Sequence, residues 1–590
     1  MKKILYIALI GGLSLGVASC QKDFLNLEPL DKLTDAVYFA NPSDFKSYSS
    51  GFYTQLLGWQ SPYGGNSIYQ YMDESTDLSS SNTFSSEVGR GTITISNSDT
   101  RWDKSYAFIR TVNILIQKAA SYKGNKDDIK QYVSEAYFFR ANAYFNLLKF
   151  FGGVPIALEP LDLDELKIPR SSRYEVVDQI LSDLDNAIAN LPTESAIPST
   201  EKGRISKWAA KAFKAKVLLY EATWRKYNGT STDFEGSAQP ASDQTIAFLT
   251  ESASLAKDVM DNGGYTLWNY NSNTAVANQS SFYLFNLEDA GSNPAGLTKA
   301  SNNEFILYGV YDLTLRPGGQ NISHTAYNLM SPSRKMMDMF LMTDGLPPEK
   351  SPLFQGYHHF TDEFKNRDLR LLSYISATPS SVDLTKGGSG YGNRKFGAYN
   401  YGSYRNANQE SANYPILRLA EVYLIYAEAL FEKNGAISDA QLDESINKVR
   451  NRAGVARLTN SLATTNGLNI LNEIRRERAI ELYREGSRFD DLKRWGIAET
   501  ELNKSVTGEV VGDASYTTSF RTSTGAATSI YNPAVYVWGE ELVSTPKGML
   551  KAVVIDSKAN RNFTKKNYLW PIPQGQIDLY SGLKQNPGYN

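Results

Sequence analysis

Between Asn472 and Gly496, NEIRRERAIELYREGSRFDDLKRWG, seven basic side chains (Arg475, Arg476, Arg478, Arg484, Arg488, Lys493, Arg494) meet six acidic ones (Glu473, Glu477, Glu481, Glu485, Asp490, Asp491). So dense a run of charge can fold in few ways. A nucleic-acid surface would carry an uncompensated basic stripe, whereas here the two signs nearly cancel. Ile474, Ile480, Leu482, Tyr483, Phe489, Leu492 and Trp495 add apolar contacts. The stretch therefore predicts a charged helix, a stop at Gly486 and a second short helix. Planar arginine forks would pair with carboxylates at a helix–helix seam. Glu421 and Glu428, seven apart on one face of a predicted helix over 418–433, are the obvious partners for buried arginines.

The other helical signals fall at 42–57, 102–120, 127–151, 173–190, 206–226, 245–262 and 442–453. In the second, Tyr106, Ile109, Asn113 and Ile116 recur at helical spacing. In the third, Val133, Tyr137, Arg140, Tyr144, Leu147 and Phe151 form one stripe, so Arg140 must be paired, and Gly152-Gly153 before Pro155 ends the helix. Small residues such as Ala136 and Ala143, Ala209 and Ala215, and Ala420 and Ala427 let helix pairs approach closely, as stacked hairpins require. The segments 58–102 and 263–413 are different. They are rich in Gly, Ser, Asn and aromatic residues, and a loop as long as the first within a compact domain is usually functional or disordered, with its aromatics arguing against disorder.

The run RFDDLKRWG after a charged helix and EG resembles the C-terminal signature of the SusD/RagB-like outer-membrane lipoproteins. So do FFRANAYFNLLKFFGGVP, MMDMFLMTDG with FKNRDLRLL, and the ending YLWPIPQGQIDLYSGLKQNPGYN. The resemblance runs in order from Cys20 to Asn590. It implies an all-α, tetratricopeptide-like scaffold of four helical hairpins, with large irregular loop-rich insertions forming a ligand-binding half. It also implies a lid on a TonB-dependent, SusC-like transporter that captures oligosaccharide or polysaccharide, or in some relatives peptides, without cleaving it.

Lys2 and Lys3 followed by the apolar run 4–17, too short to span a bilayer, read as a signal peptide over 1–19. Cys20, the only cysteine, follows Val17-Ala18-Ser19 like the acylated residue of a bacterial lipoprotein, with 20–40 as a lipidated tether and 41–590 as one domain. The expected location is the outer membrane, facing the exterior.

A glycan site needs exposed aromatic platforms beside carboxylate, amide or guanidinium groups. The irregular segments hold that mixture: Trp59, Tyr69, Asp73, Asp77, Arg90 and Trp102 in one, Trp268, Tyr283, Tyr308 and Tyr311 in the other. These ten residues are expected to meet at one surface, although Trp102 opens a helix and could equally be core.

Catalytic and cofactor signatures are missing from the sequence. Three histidines, two of them adjacent and divergent, give no metal-ligand spacing, and there is no HExxH, paired CxxC, GxSxG or phosphate-binding loop. No metal or cofactor is expected, and nucleic acid is excluded as a partner. A glycosidase would need two carboxylates flanking a cleft. Asp73-Glu74 with Asp77 is the best such cluster, and a solvated loop or a calcium contact is the alternative for it.

Overall fold

The computed structural model describes residues 38–59, 62, 73, 76–81, 87–161, 165, 167–231, 233–318, 330–377, 388–399, 409–512 and 539–589. The expected signal peptide, Cys20, most of the tether and Tyr69 lie outside the described residues.

Ten helices build the scaffold: α1 (Pro42–Ser50), α2 (Thr100–Ser121), α3 (Lys130–Phe151), α4 (Arg173–Asn190), α5 (Lys207–Asn228), α6 (Thr245–Asn262), α7 (Leu419–Asn434), α8 (Ile446–Arg452), α9 (Ile470–Glu481) and α10 (Arg488–Arg494). From α2 to α7 each helix packs on the next, and α7 also packs on α9, which gives the stacked helical-hairpin arrangement expected from the resemblance. Local sequence sets the helix ends. Ser172 and Glu175 form a capping box at the start of α4, Ser206 caps α5, and Gly152 closes α3. Segment 442–453, expected as one helix, is broken at Ser445 (φ −127°, ψ −101°) between Asp439–Glu444 and α8.

The chain is helical with small sheets added. β1 (Ser79–Ser81) pairs with β3 (Met330–Pro332), and β2 (Phe305–Gly309) pairs with β4 (Tyr414–Arg418). The third sheet has the order β5 (Val506–Gly512), β7 (Gly548–Asp556), β6 (Glu540–Thr545). All pairings are antiparallel.

The charged C-terminal stretch lies inside the protein, where unpaired charge is not tolerated. Arg140 is paired as required, with both oxygens of Asp183 at 2.7 and 2.8 Å. Arg494 of α10 bridges Glu428 of α7 at 2.6 and 2.8 Å and the Thr223 hydroxyl of α5 at 3.0 Å. Arg478 of α9 reaches Glu421 of α7 and Asp491 of α10. Glu481, fully buried, gathers Arg370, Arg418 and Arg452. Arg418 and Arg452 in turn bind Glu304 at 2.8 and 2.6 Å.

Burial alone would raise the Glu421 and Glu428 carboxyls. Lys216 and Arg478 outweigh it at Glu421, Arg494 outweighs it at Glu428, and both groups sit at about 2. The stabilisation from such depressed carboxyls is complete above about pH 4.5, the ordinary glutamate value, and is lost as pH falls through the folded value. We expect the stability gap between the wild type and Glu428→Gln, measured by urea unfolding, to narrow by roughly 2 kcal/mol between pH 7 and pH 3. A gap that stays constant over that range would contradict the pairing.

Candidate functional site

Nine of the ten expected site residues fall on described positions, and most of them are committed to packing. Trp59 is buried, donates its indole N–H to the Ala412 carbonyl (2.7 Å), and meets Phe396 and Tyr414 edge-on. Trp102 packs against Tyr106 and Phe151 in the helical core. Trp268 is buried, with its backbone N–H on Glu304 and its indole N–H on the Ser301 hydroxyl. Tyr283 is buried against Phe282 and Tyr399. Arg90 pairs with Asp556 of β7 (2.9 Å). None of these five presents an open platform or a free charge to a ligand.

The two aspartates also correct an expectation. Asp73 and Asp77 are buried, not part of a solvated loop. Asp73 accepts the Gly486 and Arg488 amides (2.9 and 3.3 Å), and Asp77 accepts both arms of the Arg488 guanidinium (2.9 and 2.7 Å) and pairs with Lys335. Gly486 makes that approach possible, since its φ of +77° forms the turn between α9 and α10. Burial pushes the Asp73 carboxyl up to about 7, against the pull of the two amides. Asp77 is held well below the usual carboxylate range, because Arg488 and Lys335 outweigh its burial. With Asp73 bound to amides and Asp77 bound to cations, the cluster anchors its segment to the C-terminal motif. Glu74 lies outside the described residues, and these two aspartates are engaged by protein partners.

Tyr308 and Tyr311 are brought together. They line a groove of about 730 Å³ between the helical scaffold and the irregular half. One wall comes from Thr193, Glu194, Ser195, Lys202 and Trp208, at the α4–α5 connection and the first turn of α5. The other comes from the end of α6, residues 299–311 and Asn413. Tyr311 is buried behind this surface, with Arg316 over its ring at 4.5 Å and Trp59 at 6.5 Å. Trp208 and Tyr308 are half-buried, and each shows part of a ring to the groove.

Three asparagines each hold the loops with one end of the amide. Asn302 Oδ1 accepts the Glu304 and Phe305 amides, Asn303 Nδ2 donates to the Gly264 carbonyl, and Asn413 Oδ1 accepts the Tyr311 amide. The other ends, Asn302 Nδ2, Asn303 Oδ1 and Asn413 Nδ2, make no hydrogen bond among the described residues, and neither do Trp208 Nε1 and the Tyr308 hydroxyl. Burial, with Glu194 adding to the effect, pushes the Tyr308 hydroxyl up to about 12, so it stays a neutral donor and acceptor. Gly203 (φ +99°) lets the scaffold loop approach the opposite wall, because a Cβ there would stand 2.2 Å from Val310 Cγ2.

Two other spaces suit a sugar less well: a cleft of about 340 Å³ beside Asp77, Lys335, Asp338 and Glu541 has no aromatic wall, and a space of about 70 Å³, lined by Phe145, Phe213, Tyr220 and Tyr414 together with charged residues of the C-terminal motif, is far smaller than the groove. Trp208, Glu194, Asn302, Asn303 and Asn413 were not among the residues expected from sequence. The one local signal was the Asn302-Asn303 pair, one residue ahead of the apolar strand Phe305-Ile306-Leu307.

Residues 284–589 match the SusD family, and residues 23–219 match a family described as starch-binding and associating with the outer membrane. A SusD-like protein of Bacteroides ovatus is 27% identical over 81% of this chain and 80% of its own length. SusD-like protein P25 of Formosa agariphila is 25% identical over 81% and 87%. Among solved structures, a SusD-like carbohydrate binding protein of Bacteroides fragilis superposes with a TM-score of 0.69 at 22% identity, covering 92% of this chain and 99% of that one. With one family match spanning more than half of its length, and stacked helical hairpins to carry it, this chain belongs to the SusD family.

Proposed function

We propose that this protein is a non-catalytic cell-surface receptor that binds oligosaccharide or polysaccharide in the groove between its helical scaffold and its irregular half. The observation that carries this reading is the pairing of two half-exposed rings, Trp208 and Tyr308, with uncommitted amide groups of Asn302, Asn303 and Asn413 on one surface. Sugar C–H faces pack on aromatic rings, and hydroxyl rims bond to amides that can both donate and accept. Family membership supports the same role. The match to a family described as associating with the outer membrane, with Cys20 as acylated residue, supports a lipid-anchored protein at that membrane. No helix among the described residues is long and apolar enough to cross a membrane. Delivery of the captured glycan to a SusC-like TonB-dependent transporter completes the role.

The soluble form beginning at Gln21, titrated calorimetrically against a panel of plant, host and microbial polysaccharides and peptide pools, tests this reading. Saturable glycan binding without cleavage is expected, and Trp208→Ala or Tyr308→Ala should each weaken it about tenfold. Binding to peptides alone, or unchanged affinity in both variants, would contradict it. Trp59→Ala and Trp268→Ala are expected to behave differently. They should lower unfolding stability by about 3–5 kcal/mol, as large core deletions do, while glycan affinity of the folded protein is retained.

A further inference from the structure

The cations around the groove already have countercharges or acceptors. Lys202 is exposed at the rim and pairs with Glu194 (3.2 Å). Lys299 donates to the Tyr311 carbonyl (2.6 Å), and its charge lowers the nearby Asp312 carboxyl after that group's own bonds to the Leu315 and Thr314 amides. Lys211, over the Trp208 ring at 5.1 Å, is paired with Asp258. Arg316 donates to the Val310 carbonyl and covers Tyr311. The uncommitted groups are of another kind. They are neutral amide ends, an indole N–H, a phenol and the second carboxylate oxygen of Glu194, which binds Lys202 through its backbone carbonyl and Oε1 and not through Oε2.

We propose that the groove selects neutral glycans over uronate-bearing or sulfated ones, and that Glu194 is the residue that sets this preference. The inference rests on the glycan-binding reading of the groove. A neutral sugar finds hydroxyl partners in the three asparagine amides and Tyr308, and a strong acceptor in Glu194. The two cations of the lining are each held within the protein, Lys202 by Glu194 and Lys299 by the Tyr311 carbonyl with the Asp312 carboxylate nearby, so an anionic sugar competes with those partners for either one. Lys202 is held by Glu194 through both its backbone carbonyl and its carboxylate, so an anionic sugar that approaches Lys202 meets that carboxylate at the same point. Glu194 and Tyr308 both line the groove, so a charged sugar held against the Tyr308 ring lies in the field of that carboxylate.

Matched polymers test this in the soluble form beginning at Gln21: neutral glucan, mannan, xylan and galactan against a sulfated galactan, an alginate, and a galacturonan before and after carboxyl reduction. Measurable affinity for at least one neutral polymer is expected, with at least about tenfold weaker binding of the charged member of any matched pair. Glu194→Gln should raise the ratio of acidic to neutral affinity about tenfold, with an effect that shrinks as salt is added. Glu194 is half-buried at a loop, and a thermal melt confirms that the variant is folded. Binding of acidic polymers alone, or an unchanged ratio in Glu194→Gln, would overturn the selectivity while leaving the glycan reading intact. Failure of every polymer to bind would overturn both.

Discussion

Glu481 gathers three arginines in the buried interior, and much of the fold depends on that arrangement. A buried carboxylate is costly unless its charge is met, and each arginine is equally costly without its acids. The partners come from far apart in the chain: Arg370 from a short helix in the irregular half, Arg418 from the end of β4, and Arg452 from the end of α8. Glu304 closes the set by binding two of the same arginines. These segments can all be satisfied at once in one mutual placement, so the network selects an arrangement even where its net contribution to stability is small. The same logic extends outward through Arg478 and Arg494 to the scaffold helices α5 and α7, and through Arg488 to Asp77.

The groove is a consequence of that placement. Glu304 immediately precedes β2, and its second oxygen receives the backbone N–H of Trp268 as well as Arg452. Anchored there, β2 carries Tyr308 to the edge of the scaffold, while Asn302 and Asn303 fasten the loops on either side. The scaffold contributes Trp208 from the first turn of α5, held in position by the Ser206 cap. The two rings therefore sit on rigid elements, and a flexible sugar chain meets a surface that is already arranged. Such preorganisation keeps the ordering cost of binding low.

Much of the scaffold was legible in the sequence because its determinants are local. Helix periodicity, the Gly152 stop and the charge balance of 472–496 involve neighbours in the chain, and α4 and α6 have the ends expected of them. Arg140, Glu421 and Glu428 needed partners, and each has them. The site residues depend on distant contacts instead. Trp59 looks like a platform in a Gly- and Ser-rich segment until its indole meets the Ala412 carbonyl, 353 positions away. Asp73 and Asp77 look like solvated acids until Gly486 and Arg488 arrive. Conversely, Trp208 reads as one more apolar residue in an alanine-rich helix, and only the approach of Tyr308 and Asn413 from other elements makes a groove beside it. In the third sheet β5 was missed for a related reason, since it pairs with β7 across a long intervening segment, whereas β6 and β7 form a local hairpin that the sequence reading did not pick out.

The most direct test of the account is a crystal structure of the soluble protein with a bound neutral oligosaccharide. The account predicts a sugar ring against Trp208 and Tyr308, with hydroxyls bonded to Asn302, Asn303 or Asn413 and the Glu481 network unchanged. A ligand seated on another face, with this groove empty at saturating sugar, would contradict it.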